Sequence, residues 1–450
     1  MANRVHLIGI GGEGMSGLAK VLHSQGLVVS GSDIARSRRT AELERLGIEV
    51  ELGHREENLE RAEAVIFSSA IPRENVELAA ARRRGLPLLP RLEMLRRLSE
   101  ERETLGVAGT HGKTTTTAMI AFLLEQTGRR PSFLVGASCP VLGGNARWSQ
   151  GEYLVAEVDE SDGYFTELEL DLAVITNIGV DHLNNYGSTE AVYRAFRRFA
   201  QRSSRLILNS DDGPSRRLRA ELSRRAVLTF GIEREADLVA EGVIQCEFNA
   251  RFDLIFHGER VGEVSLPAPG QHNVYNALAA LLAGAELGLG FAEMAAALRW
   301  FALPERRFQV LCQDGVTIID DYAHLPEEIE ANLLAIRSGW RPRRVIAIFQ
   351  PHRFSRLKYV GGRFARSFDL ADLVIVTGVY PAGELPIPGV DTAPLLRALQ
   401  RCGKRVKYIP EKEEIADLLR RRLHPGDFII TLGAGDIWQV SHLLAATLED

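Results

Sequence analysis

Short apolar runs closed by Gly or Asp alternate along most of the chain with longer stretches of helical periodicity. This is the pattern of parallel strands joined by crossover helices. It falls into three blocks. The first predicts strands at 5–8, 28–30 and 64–67 and ends in a charged helical segment at 91–102. The second opens with a strand at 104–107 and continues through 153–158, 172–176 and 206–209. It then turns β-rich, with alternating patterning near 246–256. The third follows Leu303-Pro-Glu-Arg-Arg-Phe308 and predicts strands at 345–349, 373–379 and 428–432. The expectation is an α/β protein of three domains, 1–100, 101–303 and 304–450.

Composition agrees with such a protein and narrows its partners. A chain of 450 residues is long enough for several cores, and 45% hydrophobic with 25% charged residues excludes a disordered, collagenous or coiled-coil character. The formal charge of -5 gives no global attraction to nucleic acid or an anionic membrane. An anionic ligand must therefore be held by local groups. Of the 54 basic residues only 6 are Lys, so a placed lysine carries more information than a placed arginine. Cys139, Cys246, Cys312 and Cys402 lie far apart without a C-x-x-C pair, which predicts buried free thiols in a reducing compartment. The opening MANRVHLIGIGG reads as a strand rather than a secretory leader, and Glu286, Glu293 and glycines interrupt the apolar run 277–298. A cytoplasmic location is expected.

Two glycine-rich loops each sit between a strand and a helix. In Gly9-Ile-Gly11-Gly12-Glu13-Gly14-Met15-Ser16-Gly17, backbone N–H groups can approach a diphosphate at a helix N-terminus, and Asp33 ends the next strand where a ribose-binding acid would sit. Alone, this fits a dinucleotide as well as a nucleotide sugar, since both present a pyrophosphate. In Gly106-Val-Ala-Gly109-Thr110-His111-Gly112-Lys113-Thr114-Thr115, Val107 stands where the usual P-loop spacing has Gly, so the loop is a shortened variant. Lys113 can neutralise β- and γ-phosphates and the Thr114 hydroxyl can reach Mg²⁺. Downstream, Glu157 closes an apolar run and is followed by Asp159-Glu160-Ser161-Asp162, while Asp181-His182 follows the strand ending Thr176-Asn177. Carboxylates suit Mg²⁺, and the His182 nitrogen could hold or orient a second ion; a solvated, helix-capping loop is the alternative for the acids. His272, Asn273 and Asn276 start a helix, where they could read an adenine or simply cap. Asp320-Asp321-Tyr322-Ala323-His324 and Gln350-Pro351-His352-Arg353-Phe354-Ser355-Arg356 follow strands. Arg353 and Arg356 could face one carboxylate across a helical turn.

These motifs, with Tyr380-Pro-Ala-Gly-Glu-Leu-Pro-Ile-Pro-Gly389, occur in one order over the whole chain, which resembles a Mur ligase of the alanine-adding branch. The resemblance implies an N-terminal Rossmann-like domain for the UDP-sugar, a central P-loop ATPase-type domain and a C-terminal Rossmann-like domain that brings the amino acid. It turns the first loop from NAD to UDP-N-acetylmuramate, with Gly11, Gly12, Gly14, Met15, Ser16, Asp33, Ser68 and Ser69 at that substrate. ATP would lie on Gly109, Thr110, His111, Gly112, Lys113, Thr114 and Thr115, with His272, Asn273, Asn276 and Arg307 near the nucleotide. Mg²⁺ would lie on Thr114 and Glu157, and a second metal near His182. Tyr322, His324, Arg353 and Arg356 would surround L-alanine, and Lys113, His182, His324 and Arg353 would carry the chemistry. The implied reaction passes through an acyl phosphate protected by closure of the third domain, in a monomer or weak homodimer. Two departures stand out: Glu13 replaces a small residue in the first loop, and Leu325 replaces a second histidine after His324. Residues 183–204 contain no Lys, which excludes a carbamylated lysine in that segment.

Overall fold

A computed structural model describes residues 3–68, 70–161, 163–222 and 226–449. Ser69 and Asp162 lie outside the described residues. The chain divides into two compact units built from interleaved segments, Met1–Gly179, Glu190–Leu238 and Leu278–Ala297 in the first, and Val180–Thr189, Val239–Ala277 and Leu298–Asp450 in the second.

The first unit holds two sheets. Strands β1 (Arg4–Ile8), β2 (Val28–Asp33), β3 (Glu49–Leu52), β4 (Ala64–Phe67) and β5 (Leu88–Pro90) form a parallel sheet in the order β3-β2-β1-β4-β5. Strands β6 (Glu103–Ala108), β7 (Ser132–Cys139), β8 (Gly144–Arg147), β9 (Tyr153–Glu157), β10 (Leu172–Ile175), β11 (Arg205–Asn209) and β12 (Val227–Gly231) run in the order β12-β11-β10-β6-β9-β7-β8. Only the β7–β8 pair among these is antiparallel. Parallel strands covered on both faces read as unbroken apolar runs, and Leu172–Ile175 is buried at every position. The polar β2 is an exception that a neighbour explains. A Cβ on Gly31 would lie 2.6 Å from the Leu7 carbonyl and 2.5 Å from Ile10 Cδ1, so only glycine fits.

In the second unit β13 (Leu238–Cys246), β14 (Asn249–Phe256) and β15 (Glu259–Leu266) follow one another as a meander, with β14 and β15 antiparallel. This is the predicted β-rich portion. Strands β16 (Gln309–Cys312), β17 (Thr317–Asp321), β18 (Arg344–Phe349), β19 (Leu373–Val376), β20 (Val406–Tyr408) and β21 (Asp427–Leu432) form the sheet β16-β17-β21-β18-β19-β20. It is parallel except at β16. The strand predicted over 373–379 stops at Val376, because the chain turns and Gly378 donates to the Pro410 carbonyl. The apolar run 277–298 is split between the helices Gln271–Glu286 and Phe291–Leu298, and among the described residues no helix is long and apolar enough to cross a membrane. The expectation of buried thiols holds for Cys139 alone. Cys246 and Cys402 are exposed, at a hairpin end and just past a helix.

A buried carboxylate organises the end of β2. Glu77 is fully buried and accepts hydrogen bonds from Ser32 Oγ and Asn58 Nδ2, both at 2.6 Å, and from the Arg55 N–H. His54 Nδ1 lies 3.2 Å away and His6 Nε2 3.7 Å away. Burial alone would raise this carboxyl, but His6, Ser32 and Asn58 outweigh it and hold it down at about 2. Because the folded group sits below its ordinary 4.5, its stabilisation is complete above pH 4.5 and is lost as pH falls towards 2. Glu77→Gln is expected to cost roughly 2–3 kcal/mol at pH 7, and the gap to wild type should close as the pH is lowered from about 5. Urea unfolding of both proteins across that range measures it, and a pH-independent gap would contradict the charge argument.

Candidate active site

The first glycine loop is held from below by the end of β2. Gly9 and Ile10 donate to the Ser32 carbonyl, and the Gly11 N–H donates to Asp33 Oδ2 at 2.9 Å. Asp33 thus braces the loop through one oxygen. Gly12 precedes the helix Glu13–Ser24, in which Met15 and Ser16 are buried and the Ser16 hydroxyl donates to the Glu13 carbonyl. Ser68 sits beside Gly9. Glu13 does not leave a bare charge on the loop: Arg39 pairs with its carboxylate and donates to the Gly11 carbonyl at 2.6 Å. That compensating arginine explains how the departure is tolerated.

The second loop connects β6 to the helix Lys113–Gln126, whose residues Thr114–Leu124 are all buried. Gly109 has φ +140°, and a side chain there would run into Thr176. The loop is laced to the end of β10. Thr176 Oγ1 and Asn177 Nδ2 donate to the His111 carbonyl at 2.6 and 3.0 Å, the His111 N–H donates to Asn177 Oδ1, and Gly179 N–H donates to Thr110 Oγ1. Gly112, at φ +82°, turns the chain into the helix.

Lys113 Nζ donates to the carbonyls of Gly109 (2.5 Å) and Thr110 (3.4 Å) and to Glu160 Oε1 (3.0 Å), with Oε2 at 2.9 Å. Burial would lower its pKa, but Glu160, then Asp159 and Glu157, outweigh that and keep the amine charged. Burial likewise pushes Glu160 up to about 7 against the pull of Lys113. The Thr114 hydroxyl donates to Glu157 Oε1 at 3.1 Å, and Gly136 N–H donates to Oε2 at 2.7 Å. The sequence points to Glu160 as one of a cluster of metal-binding acids, not as the partner of Lys113, and to Asn177 only as the end of a strand.

The second unit gathers another cluster. Arg356 grips both oxygens of Asp181, Nε to Oδ1 at 3.3 Å and Nη2 to Oδ2 at 3.1 Å, and its Nη1 lies 2.9 Å from His352 Nδ1. His182, left-handed at φ +55°, keeps Nε2 3.3 Å from Asp181 Oδ2. His324 packs against Tyr322 and His352, and His352 stacks on Tyr380. Arg353 does not share the Asp181 carboxylate with Arg356. Its backbone, at φ +68°, donates to the Tyr380 carbonyl, and its buried Nε has no hydrogen-bond partner among the described residues. With Arg356, Ser355 and Tyr359 it lines a cleft that also borders Asp181 and His182. Leu325 is buried in the core, while Glu328 accepts from the His324 and Leu325 N–H groups. Arg307 lies over the Tyr322 ring, and its neighbour Arg306 donates to Asp320 at 2.9 Å. Asn273 donates to the Pro269 carbonyl and accepts from Asn276. Among the described residues no three His, Cys, Asp or Glu side chains form a ready metal cage.

Burial, the like charge of Arg356 and proximity of His324 lower the two histidines, to about 4 for His324 and about 2 for His352. Asp181 lies well below the usual carboxylate range: burial opposes this, but Arg356, His182 and His324 prevail. A histidine kept neutral in the fold stabilises fully above pH 6.5 and loses that contribution as pH falls through its folded value. His324→Gln should therefore flatten the fall in melting temperature between pH 6.5 and about 4. Thermal scans of both proteins over that window test it, and parallel curves would count against a neutral, buried His324.

Three family models cover this chain in sequence order. The Mur ligase family, catalytic domain, matches residues 4–103, the Mur ligase middle domain 107–284, and the Mur ligase, glutamate ligase domain, 306–435. The chain is 42% identical to a UDP-N-acetylmuramate–L-alanine ligase of Pelotomaculum thermopropionicum, over 99% of this chain and 98% of that one. It is 43% identical to one of Symbiobacterium thermophilum, over 100% and 95%. The fold superimposes on a crystal structure of a UDP-N-acetylmuramate–alanine ligase from Thermotoga maritima with a TM-score of 0.86 at 31% identity, covering 100% of this chain and 99% of that chain. With its glycine loops, lysine cradle and paired carboxylates in this order, the chain belongs to the Mur ligase family.

Proposed function

We propose that this protein joins L-alanine to the lactyl carboxylate of UDP-N-acetylmuramate, with cleavage of ATP to ADP and phosphate, in peptidoglycan precursor synthesis. Full-length identity of 42–43% to ligases of that name carries the reading. The enzyme would work in the cytoplasm as a monomer or weak homodimer. Residues 1–100 would take the UDP-sugar, 101–303 ATP, and 304–450 the amino acid.

A carboxylate at pH 7 resists attack by an amine, so it is first made an acyl phosphate, which the alanine amine then captures with release of phosphate. Bringing a polyphosphate to a carboxylate requires charge to be cancelled in a dry site. Lys113 is suited to this because its side chain is largely removed from water, only 15% of it exposed, and its bond to Glu160 can be exchanged for one to phosphate. The left-handed Gly112 aims the first turn of the Lys113–Gln126 helix at the same anion.

The donor set also fits Mg²⁺. Thr114 and Glu157 already place two hard oxygens together, and Glu160 supplies a third group once Lys113 turns to phosphate. So few protein ligands suit an ion that keeps waters and phosphate oxygens. When bound, Mg²⁺ would neutralise phosphate charge. On the amino-acid side, Arg353 offers an unspent buried N–H for a carboxylate, and the neutral His324 and His352 add no positive charge beside an incoming amine.

Mixed with ATP, Mg²⁺, UDP-N-acetylmuramate and single amino acids, the protein should release phosphate, not pyrophosphate, only when the UDP-sugar and L-alanine are both present. Phosphate release that needs a tripeptide instead would refute the alanine assignment. Lys113→Ala should cut turnover by about a thousandfold or more while leaving UDP-sugar binding nearly intact, as calorimetry can measure.

A further inference from the structure

We propose that Glu384 is a positioning residue for the amino acid: it fixes the backbone from which Arg353 meets the alanine carboxylate. This deepens the function proposed above and rests on it. Arg353 leads into the helix Phe354–Val360 with φ +68° and ψ +135°, a conformation that residues with side chains disfavour. Such a backbone persists only where its surroundings over-determine it. Here the hold comes from a single segment, 380–384. Tyr380 N–H donates to the Pro351 carbonyl and Arg353 N–H to the Tyr380 carbonyl, both at 2.8 Å. Just past the strained residue, Ser355 donates twice to Glu384, its N–H to Oε2 at 2.9 Å and its hydroxyl to Oε1 at 2.5 Å. The chain at Arg353 is thus pinned on both sides.

Apolar packing does not hold this segment in place. Gly383 and Leu385, on either side of Glu384, are exposed, Leu385 to 85%. The carboxylate turns inward from an exposed loop and gives both oxygens to one residue. That residue lies between Arg353, whose buried Nε has no hydrogen-bond partner among the described residues, and Arg356, which is anchored separately through Asp181. Loss of Glu384 therefore falls on Arg353. With the Ser355 N–H and hydroxyl deprived of their acceptor, the backbone at Arg353 relaxes to an ordinary conformation and carries the guanidinium away from the carboxylate it would meet. A displacement of about 1 Å is enough to weaken such a contact severely.

Steady-state ligation by the full chain, with each substrate varied in turn, tests this. Glu384→Ala should raise the KM for L-alanine about 10- to 100-fold, while kcat and the KM values for ATP and UDP-N-acetylmuramate stay within about threefold. Glu384→Gln, whose carbonyl can accept from the Ser355 N–H and whose amide can donate to its hydroxyl, should recover most of that loss. Ser355→Ala, which gives up one of the two bonds and probes the contact even if Glu384→Ala does not fold, should raise the same KM by about threefold or more. Added to Arg353→Ala, Glu384→Ala should raise it by no more than about threefold further, because it acts through that arginine. An unchanged KM for L-alanine in Glu384→Ala or Ser355→Ala, an equal rise in all three KM values, or full additivity with Arg353→Ala would overturn the proposal. If the wild-type protein ligated no L-alanine, the functional reading itself would fall, and the role of Glu384 with it.

Discussion

A lysine amine largely withdrawn from water constrains everything around it. Lys113 is charged and mostly covered, so the fold must surround it with oxygens: two backbone carbonyls from its own loop and a carboxylate from Glu160. The carbonyls point inward because Gly109 and Gly112 take left-handed backbone angles that a side chain would forbid. The loop keeps that shape because Thr176 and Asn177 stitch it to the end of β10. The charge of the amine is thus held in an ion pair with Glu160.

The second unit solves a related problem by balance. Asp181 and Arg356 neutralise each other, and the histidines packed nearby stay neutral chiefly because they are buried, with the guanidinium adding its repulsion of a further proton. Such a pair contributes little net stability compared with an apolar substitute, yet removing one partner strands the other. Its value lies in fixing where the Asp181-His182 turn sits against Arg353 and the cleft they line.

Much of this was legible in the sequence. Parallel strands buried on both faces announce themselves as apolar runs, and the strands that were predicted differ from the observed ones mainly at their ends, whereas β3, β5, β7, β8, β12, β16 and β20 were not predicted. Glycine loops are equally plain, since backbone angles forbidden to other residues leave only one residue type. Partnerships across the fold were not legible. Nothing local links Glu13 to Arg39, Lys113 to Glu160, or Glu77 to Ser32. Leu325, puzzling as a lost histidine, proves to be a core side chain at the start of the Pro326–Gly339 helix. Exposure of Cys246 and Cys402 likewise depends on which turns meet solvent, which periodicity does not record.

The interleaving of the two units bears on how the protein is made. The first unit is incomplete until Ala297 has been synthesised, because its last segment, Leu278–Ala297, carries most of the helices Gln271–Glu286 and Phe291–Leu298. Asp181 waits longer: its partner Arg356 is 175 residues downstream. At ribosomal speeds of about 5–20 residues per second, that carboxylate stays unmatched for roughly 10–35 seconds on every nascent chain. The segment Val180–Thr189 therefore lacks this ion pair during translation of the front half. A chaperone or a pause that shields the emerging polypeptide would act within this interval.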